Sequence, residues 1–343
     1  MAESDPMTSN NPNIAVIGGG TGSFSVLSSL KNHSEITAIV NMVDDGGSTG
    51  ELRDSLGVLP PGDLRQCMVA LSEESDIWRD VLNFRFPKNE KDTSLGGHNL
   101  GNLLISGIET LTGGEIKEAI ATVSKMLNIK GKVIPVTVED RRLVITTVDG
   151  QTITGEHNIE DAEIPSLKGA TVGFDLPTEL DSDAAEAIRD ADMLVIAPGD
   201  LYTSIGPALA VNGMRGAIME SKAKKIYLCN LVNKEFHTSE LDVEGYTDEI
   251  ERIIGAPALD YVVYNTQSPS PEVLERYFVE KQYPVAFDVE SLEQRHYRAI
   301  GASLLSTVAV ERDPNDRLKR SLIRHDHKAI AKAVMAIYWQ FIM

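Results

Sequence analysis

The chain has 343 residues, with 32 Lys and Arg against 51 Asp and Glu, a formal net charge of −19. Hydrophobic residues make up 42% and charged residues 24%, the balance of a globular chain long enough to bury one large α/β core or two ordinary ones. So much negative charge excludes duplex nucleic acid and an anionic membrane surface as main partners, because both are held by clustered Lys and Arg.

Residues 1–12 are polar, carry two prolines and lack the basic and apolar segments of a signal peptide, so they read as a disordered leader. No apolar run reaches the roughly 18 to 20 residues that span a bilayer, and no membrane insertion is expected. Cys67 and Cys229 are too few for a disulfide framework or a zinc site. The expected location is a reducing compartment, the cytoplasm.

The first apolar run, Ile14 to Ile17, stops at Gly18-Gly19-Gly20 and predicts a buried parallel strand. Thr21 to Leu30 then has helical spacing through Phe24, Leu27 and Leu30, and Ile36 to Val43 predicts a second strand ending in Asp44-Asp45-Gly46-Gly47. Strand, helix and strand in this space make a βαβ unit. The middle differs. Lys132–Val138, Arg142–Val148 and Gln151–Glu156 alternate apolar and polar residues around an Asp149-Gly150 turn, predicting a small antiparallel excursion over residues 130–170.

The parallel rhythm returns at Asp192–Ala197, Lys225–Cys229 and Asp260–Tyr264, each ending in a polar or glycine-bearing loop with a helix expected next. The final helix, His327 to Phe341, puts Ile330, Val334, Ile337 and Phe341 on one face. That stripe is expected to dock on the domain or on a partner subunit, and it is the ground for expecting a homodimer. The predicted fold is α/β, a Rossmann-like doubly wound and mostly parallel sheet. Its nucleotide-binding domain covers residues 13–312, followed by a C-terminal segment, 313–343. In such sheets ligands sit at the carboxyl ends of the strands.

The candidate site residues lie in those loops. Gly18, Gly19, Gly20, Thr21 and Gly22 open a helix, where free N–H groups and a positive dipole end favour a phosphate. Ser23 breaks the G-x-G-x-x-G fingerprint, and no Gly-Lys-Ser/Thr follows for a Walker A loop. A tight turn without a ligand remains the alternative. Asp44 and Asp45 precede Gly46, Gly47 and Ser48. Adjacent carboxylates are costly unless a cation or sugar hydroxyls meet them, so Asp45 is a candidate Mg²⁺ ligand, with a solvated turn as the alternative. Asp63 is expected to cap the next helix and Arg65 to reach a phosphate from its first turn. His98 is a candidate general base or a structural histidine, and Asn99 and Asn102 are expected to aim amides at a ligand. Gly199, Tyr202, Thr203 and Ser204 read as a nucleotide clamp, or as a helix capped by Thr203 or Ser204, and Asn230 sits at a further strand end. The chain has no Gly-x-Ser-x-Gly elbow, His-Glu-x-x-His pair or Cys cluster, so acyl-serine, zinc-protease and thiol-redox chemistry are poorly supported.

Collectively, GGGTGS, VDDGGSTGELRDSLGVLPPGDLRQ, GGHNLGNLLI, APGDLYTSIGPAL and the late IRHD resemble the gluconeogenesis factor family, of the 2-phospho-L-lactate transferase superfamily, from about Asn13 to about Lys328. The resemblance implies a Rossmann-like fold binding a nucleotide-diphosphate sugar such as UDP-N-acetylglucosamine. It further implies a regulator linking carbon metabolism to cell-wall synthesis and cell shape. In the transferase branch it implies Mg²⁺-assisted transfer of a phospho-group with Asp44 and Asp45 at the site centre. In that enzyme reading Asp45 holds the metal, and Asp44, Asp45 and His98, the last a candidate base from its loop, are the catalytic candidates. A nicotinamide dehydrogenase is a weaker reading because of Ser23. Carried over, Gly18 to Gly22 cradle phosphate, Gly199 to Ser204 complete the clamp, and Arg324 contacts the ligand, a guanidinium being suited to a diphosphate. Two departures stand out. The family usually has Gly-Ser-Leu-Tyr-Thr-Ser where this chain has Asp200 in second place, and the loop Asn233–Thr238 differs from the usual Thr-Gln-Pro-Gly-Glu-Thr. A single nucleotide diphosphate is compatible with −19, because backbone N–H groups, a helix end and arginines such as Arg65 and Arg324 can hold it.

Overall fold

The structure, a computed structural model, describes residues 11–73, 76–87, 95–279, 281–306 and 323–342. Among the described residues twelve strands run in chain order. The first six are β1 (Asn13–Gly18), β2 (Glu35–Val40), β3 (Lys132–Pro135), β4 (Leu143–Thr146), β5 (Thr152–Thr154) and β6 (Thr171–Phe174). The others are β7 (Met193–Ile196), β8 (Lys224–Leu228), β9 (Val232–Lys234), β10 (Tyr261–Asn265), β11 (Gln282–Pro284) and β12 (Arg298–Ala302). Seven of them form one sheet in the order β12-β10-β8-β7-β1-β2-β3, and every neighbouring pair is parallel.

The sheet is buried on both faces, as apolar runs without alternation require: Ile14, Val16, Ile17, Leu194, Val195 and Ile196 are all buried. From β1 the chain winds outward through β2 to β3, then returns to β7 on the other side of β1 and continues through β8, β10 and β12. The winding direction reverses between β1 and β7. Two loops diverge there and leave a crevice at the carboxyl ends of the strands.

The antiparallel excursion is real but shifted. Its first expected strand, β3, instead pairs in parallel with β2 at the edge of the main sheet, while β5-β4-β6 make the separate antiparallel sheet. Strand alternation identified a half-buried face without saying which neighbour would cover it. The helix expected directly after β8 gives way to β9, which pairs with β11. The expected leader ends sooner than read, because Pro12 is buried and its carbonyl accepts from Glu35 N at 3.0 Å. Residues 1–10 and 307–322 lie outside the described residues, and with them most of the leader and the start of the 313–343 segment.

The final helix, His327–Ile342, buries Ile330, Val334 and Ile337 against this chain's own first helix, Gly20–Leu30. Phe24 and His327 meet with ring centroids 6.3 Å apart. The apolar stripe is therefore used within the chain, the first of the two placements expected for it. The side chain of Phe341 lies outside the described residues. No helix among the described residues is long and apolar enough to cross a membrane.

One buried carboxyl gives the fold a pH dependence. Glu109, in the helix Leu100–Leu111, is 2% exposed. Its Oε1 accepts from Leu59 N at 3.1 Å, and its Oε2 has no hydrogen-bond partner among the described residues. Burial pushes its pKa from the ordinary 4.5 up to about 7. Because the folded value lies above the unfolded one, stability that is fully present below 4.5 is lost as pH rises through 7. Glu109→Gln is neutral at every pH. It should match the parent at acid pH and exceed its unfolding free energy by about 2 kcal/mol in alkaline buffer, as urea titrations at the two pH values would measure.

Candidate functional site

The crevice between β1 and β7 is built by backbone contact. The first helix starts at Gly20 with Gly19, which has no side chain to offer, as its N-cap. Gly22 lies directly against the β7 loop: a Cβ there would stand 1.7 Å from the Pro198 carbonyl oxygen. A cavity of about 210 Å³ opens beside this contact. It is lined by Thr21 and Gly22 from the helix start, Gly199 and Asp200 after β7, Asn230 after β8, Lys234 on β9, and Arg324 from the late motif. The rest of the glycine loop is turned elsewhere. Gly18, Gly19 and Gly20 do not line the cavity, and the Asp63 carboxylate packs on Gly19, where a Cβ would meet its Oδ2 at 1.9 Å. Asp63 thus lies in the first turn of the helix Pro61–Leu71, which Pro60 caps, and not at the cap position.

The loop after β7 is organised by Asp200. Its Oδ1 accepts from Tyr202 N and Thr203 N, both at 3.2 Å, and caps a short π-helix, Leu201–Ile205. The acceptor expected from Thr203 or Ser204 is therefore Asp200. Its other oxygen pairs with Lys234 Nζ at 2.6 Å. Burial alone would raise the Asp200 pKa, but Lys234 beside it holds the carboxyl well below the usual carboxylate range, and Asp200 in turn raises Lys234. Tyr202 points away into the core, where its hydroxyl donates to Glu249 Oε2 at 3.1 Å. Thr203 is fully buried, and Ser204 does not line the cavity. The clamp expected from three hydroxyls thus reduces to backbone and Asp200. Asn230 ties the neighbouring loops together: Gly199 N donates to its Oδ1 at 3.2 Å and its Nδ2 donates to Gly199 O at 2.7 Å.

The late motif divides its labour. Arg324 lines the cavity, and its carbonyl accepts from Ser306 N at 2.8 Å. His325 is buried with Nε2 3.2 Å from Cys229 O. Burial lowers its pKa to about 4, which leaves a neutral imidazole at neutral pH. Asp326 Oδ1 accepts from Ala329 N at 2.8 Å, at the start of the final helix.

The two adjacent aspartates have different partners. Asp45 is only 7% exposed at its side chain and pairs with Arg142 Nη1 at 3.4 Å, while its Oδ1 accepts from His157 N at 2.8 Å. Asp44 instead accepts from Gly46 N at 3.0 Å and hydrogen-bonds the carboxyl of Glu156. Burial raises both members of that pair, and two facing carboxyl groups hold one proton between them. Glu156 comes from the helix Glu156–Asp161 of the antiparallel excursion. Glu160 is raised as well, by burial first, with Lys234 opposing and Asp200 adding to the effect. This acidic group therefore borders the cavity through Lys234. A Mg²⁺ on Asp45 does not fit this arrangement, since a cation there would displace Arg142 and meet a backbone donor. Among the described residues no three His, Cys, Asp or Glu side chains gather in a metal-holding group. Gly46 caps the helix Gly47–Leu56, and the Gly47 and Ser48 side positions lie outside the described residues.

The remaining candidates serve the scaffold. Arg65 Nε donates to Asn102 Oδ1 at 2.8 Å, and its Nη1 donates to Asn83 Oδ1 at 2.6 Å and Leu82 O at 3.3 Å. It joins helices and does not reach the glycine loop. Asn99 caps the helix Leu100–Leu111 by accepting from Asn102 N at 3.0 Å, and Asn102 Nδ2 donates to Thr49 Oγ1 at 3.3 Å. His98 Nε2 lies 3.1 Å from Glu51 Oε2. None of these four lines the cavity. The side chains that sequence reading left out are Glu156, Arg142 and, as a site residue, Lys234. Only Lys234 had a signal, its position in the loop that departs from the family pattern.

Residues 14–305 match the family model described as 2-phospho-L-lactate transferase CofD. The chain is 36% identical over 334 residues to the gluconeogenesis factor of Halalkalibacterium halodurans, covering 94% of this chain and 95% of that one. It is 33% identical over 327 residues to the gluconeogenesis factor of Bacillus subtilis, covering 94% and 97%. A crystal structure of a UPF0052 family protein from Bacillus halodurans superposes with a TM-score of 0.84 at 34% identity, over 94% of this chain and 99% of that one.

Proposed function

Since the chain belongs to the CofD family and, within it, to the gluconeogenesis factors, we propose that it is a cytoplasmic regulator that binds a UDP-sugar of the UDP-N-acetylglucosamine type. In this role it links carbon supply to cell-wall precursor synthesis and cell shape. The observation that carries the reading is the cavity at the β1–β7 reversal, where the start of the first helix, Lys234 and Arg324 converge from distant parts of the chain. Donors of this kind suit a diphosphate.

The second reading is a Mg²⁺-dependent transferase moving a phospho-group from a nucleotide-diphosphate donor. It draws on the family name and on the buried Asp44–Glu156 pair, which could take a cation in place of its proton. No step is derived through that metal, because Asp45 is closed by Arg142.

Calorimetric titration with UDP-N-acetylglucosamine, GDP and NADH, each with Mg²⁺ and with EDTA, separates the readings. The regulator predicts UDP-sugar binding that changes by less than about twofold on chelation, with the sugar nucleotide recovered intact after hours. Binding of GDP that needs Mg²⁺, with no heat from the UDP-sugar, would overturn it in favour of the transferase.

A further inference from the structure

We propose that Lys234 is a ligand-binding cation of this cavity and that Asp200 is the residue that positions it. The inference deepens the UDP-sugar reading and rests on it: it names the side chain that, with Arg324, meets the ligand's phosphates.

Four observations carry it. Lys234 and Arg324 line the same cavity, alongside Thr21 and Gly22 at the start of the first helix. The Lys234 ammonium has three donors and gives one to Asp200 Oδ2 at 2.6 Å, which leaves two to turn toward a ligand. Its side chain keeps 48% of its exposure while that of Asp200 keeps 13%. The carboxylate is thus an enclosed anchor, and the ammonium is the accessible end. Finally, the anchor is itself rigid. Asp200 is fixed by Tyr202 N and Thr203 N, and the Lys234 backbone is fixed by its register opposite Gln282 and by its N–H donating to Thr238 Oγ1 at 3.2 Å.

A lysine used only to balance charge would satisfy Asp200 equally well from outside the cavity. Here the pair stands in the cavity wall, where an enclosed Asp200 alone would repel any phosphate. Lys234 cancels that charge and presents its remaining ammonium donors to the cavity that Arg324 also lines. The pair therefore selects a ligand bearing phosphate over an uncharged nucleoside or sugar.

The test measures UDP-N-acetylglucosamine affinity by calorimetry on the full chain and three variants, with thermal melting as the check on folding. Lys234→Met is expected to weaken binding by about tenfold or more, and Lys234→Arg to stay within about threefold of the parent. The double variant Asp200→Ser/Lys234→Met loses the repelling carboxylate. It should bind more tightly than Lys234→Met yet remain about threefold or more weaker than the parent. Serine keeps an acceptor for the helix cap, so the loop should hold. Parent-like binding by Lys234→Met overturns the proposal and leaves the UDP-sugar reading intact. Parent-like binding by the double variant also overturns it, because Lys234 would then merely cancel Asp200. A parent protein that binds neither UDP-N-acetylglucosamine nor UDP overturns both.

Discussion

Gly22→Ala should destabilise the protein by about 3 kcal/mol and abolish ligand binding, although alanine favours helices. Gly22 belongs to the first helix, so the bare propensity difference predicts a gain of roughly 0.5 to 1 kcal/mol. Contact decides otherwise. The added Cβ would stand 1.7 Å from the Pro198 carbonyl oxygen and 2.7 Å from its carbon, and backbone has no rotamer through which to escape. Relief requires the helix and the β7 loop to part, which opens the crevice where the ligand is expected. The matching control is Gly107→Ala in the helix Leu100–Leu111, where an added Cβ meets nothing within 4 Å. That variant should gain the propensity term, about 0.5 to 1 kcal/mol. Urea unfolding of both variants gives the comparison, and equal effects of the two substitutions would contradict the close approach of the loops.

Arg324→Ala should weaken UDP-N-acetylglucosamine binding by about 100-fold while changing unfolding free energy by less than about 1 kcal/mol. The small stability effect follows from the division of labour in the late motif. Its neighbours hold the segment: His325 at Cys229 O, Asp326 at the start of the final helix, and the Arg324 backbone at Ser306. The large affinity effect follows from chemistry, since a planar guanidinium offers two parallel donors to a diphosphate and leaves it unpaired when removed. Arg324→Lys should recover only part of the loss, because an ammonium supplies charge without that geometry. Unchanged affinity in Arg324→Ala, measured by the same calorimetry, would remove the late motif from the site.

The parallel strands were legible because an apolar run ended by glycine is a local signal, visible within a few residues at Ile14–Gly20 or Met193–Gly199. Their loops were legible for the same reason. What was misread lay one step further out. Arg65 and Arg324 are both arginines expected to contact phosphate, yet Arg65 binds Asn102 and Asn83 while Arg324 lines the cavity. Asp44 and Asp45 are adjacent, yet the carboxyl of one meets Glu156 and that of the other meets Arg142. Nothing in the spacing links Asp44 to a glutamate more than a hundred positions later.

The sequence by itself determined the class of sheet, the glycine-lined turns and the end of the sheet where the crevice opens, because strand burial, turn chemistry and helix starts are properties of short segments. Only the tertiary structure decided which polar side chains line that crevice. The strand order places the reversal between β1 and β7, and the β9–β11 pairing carries Lys234 to Asp200. Side-chain direction at a site depends on what packs behind each residue, and here that packing comes from segments far apart in the chain.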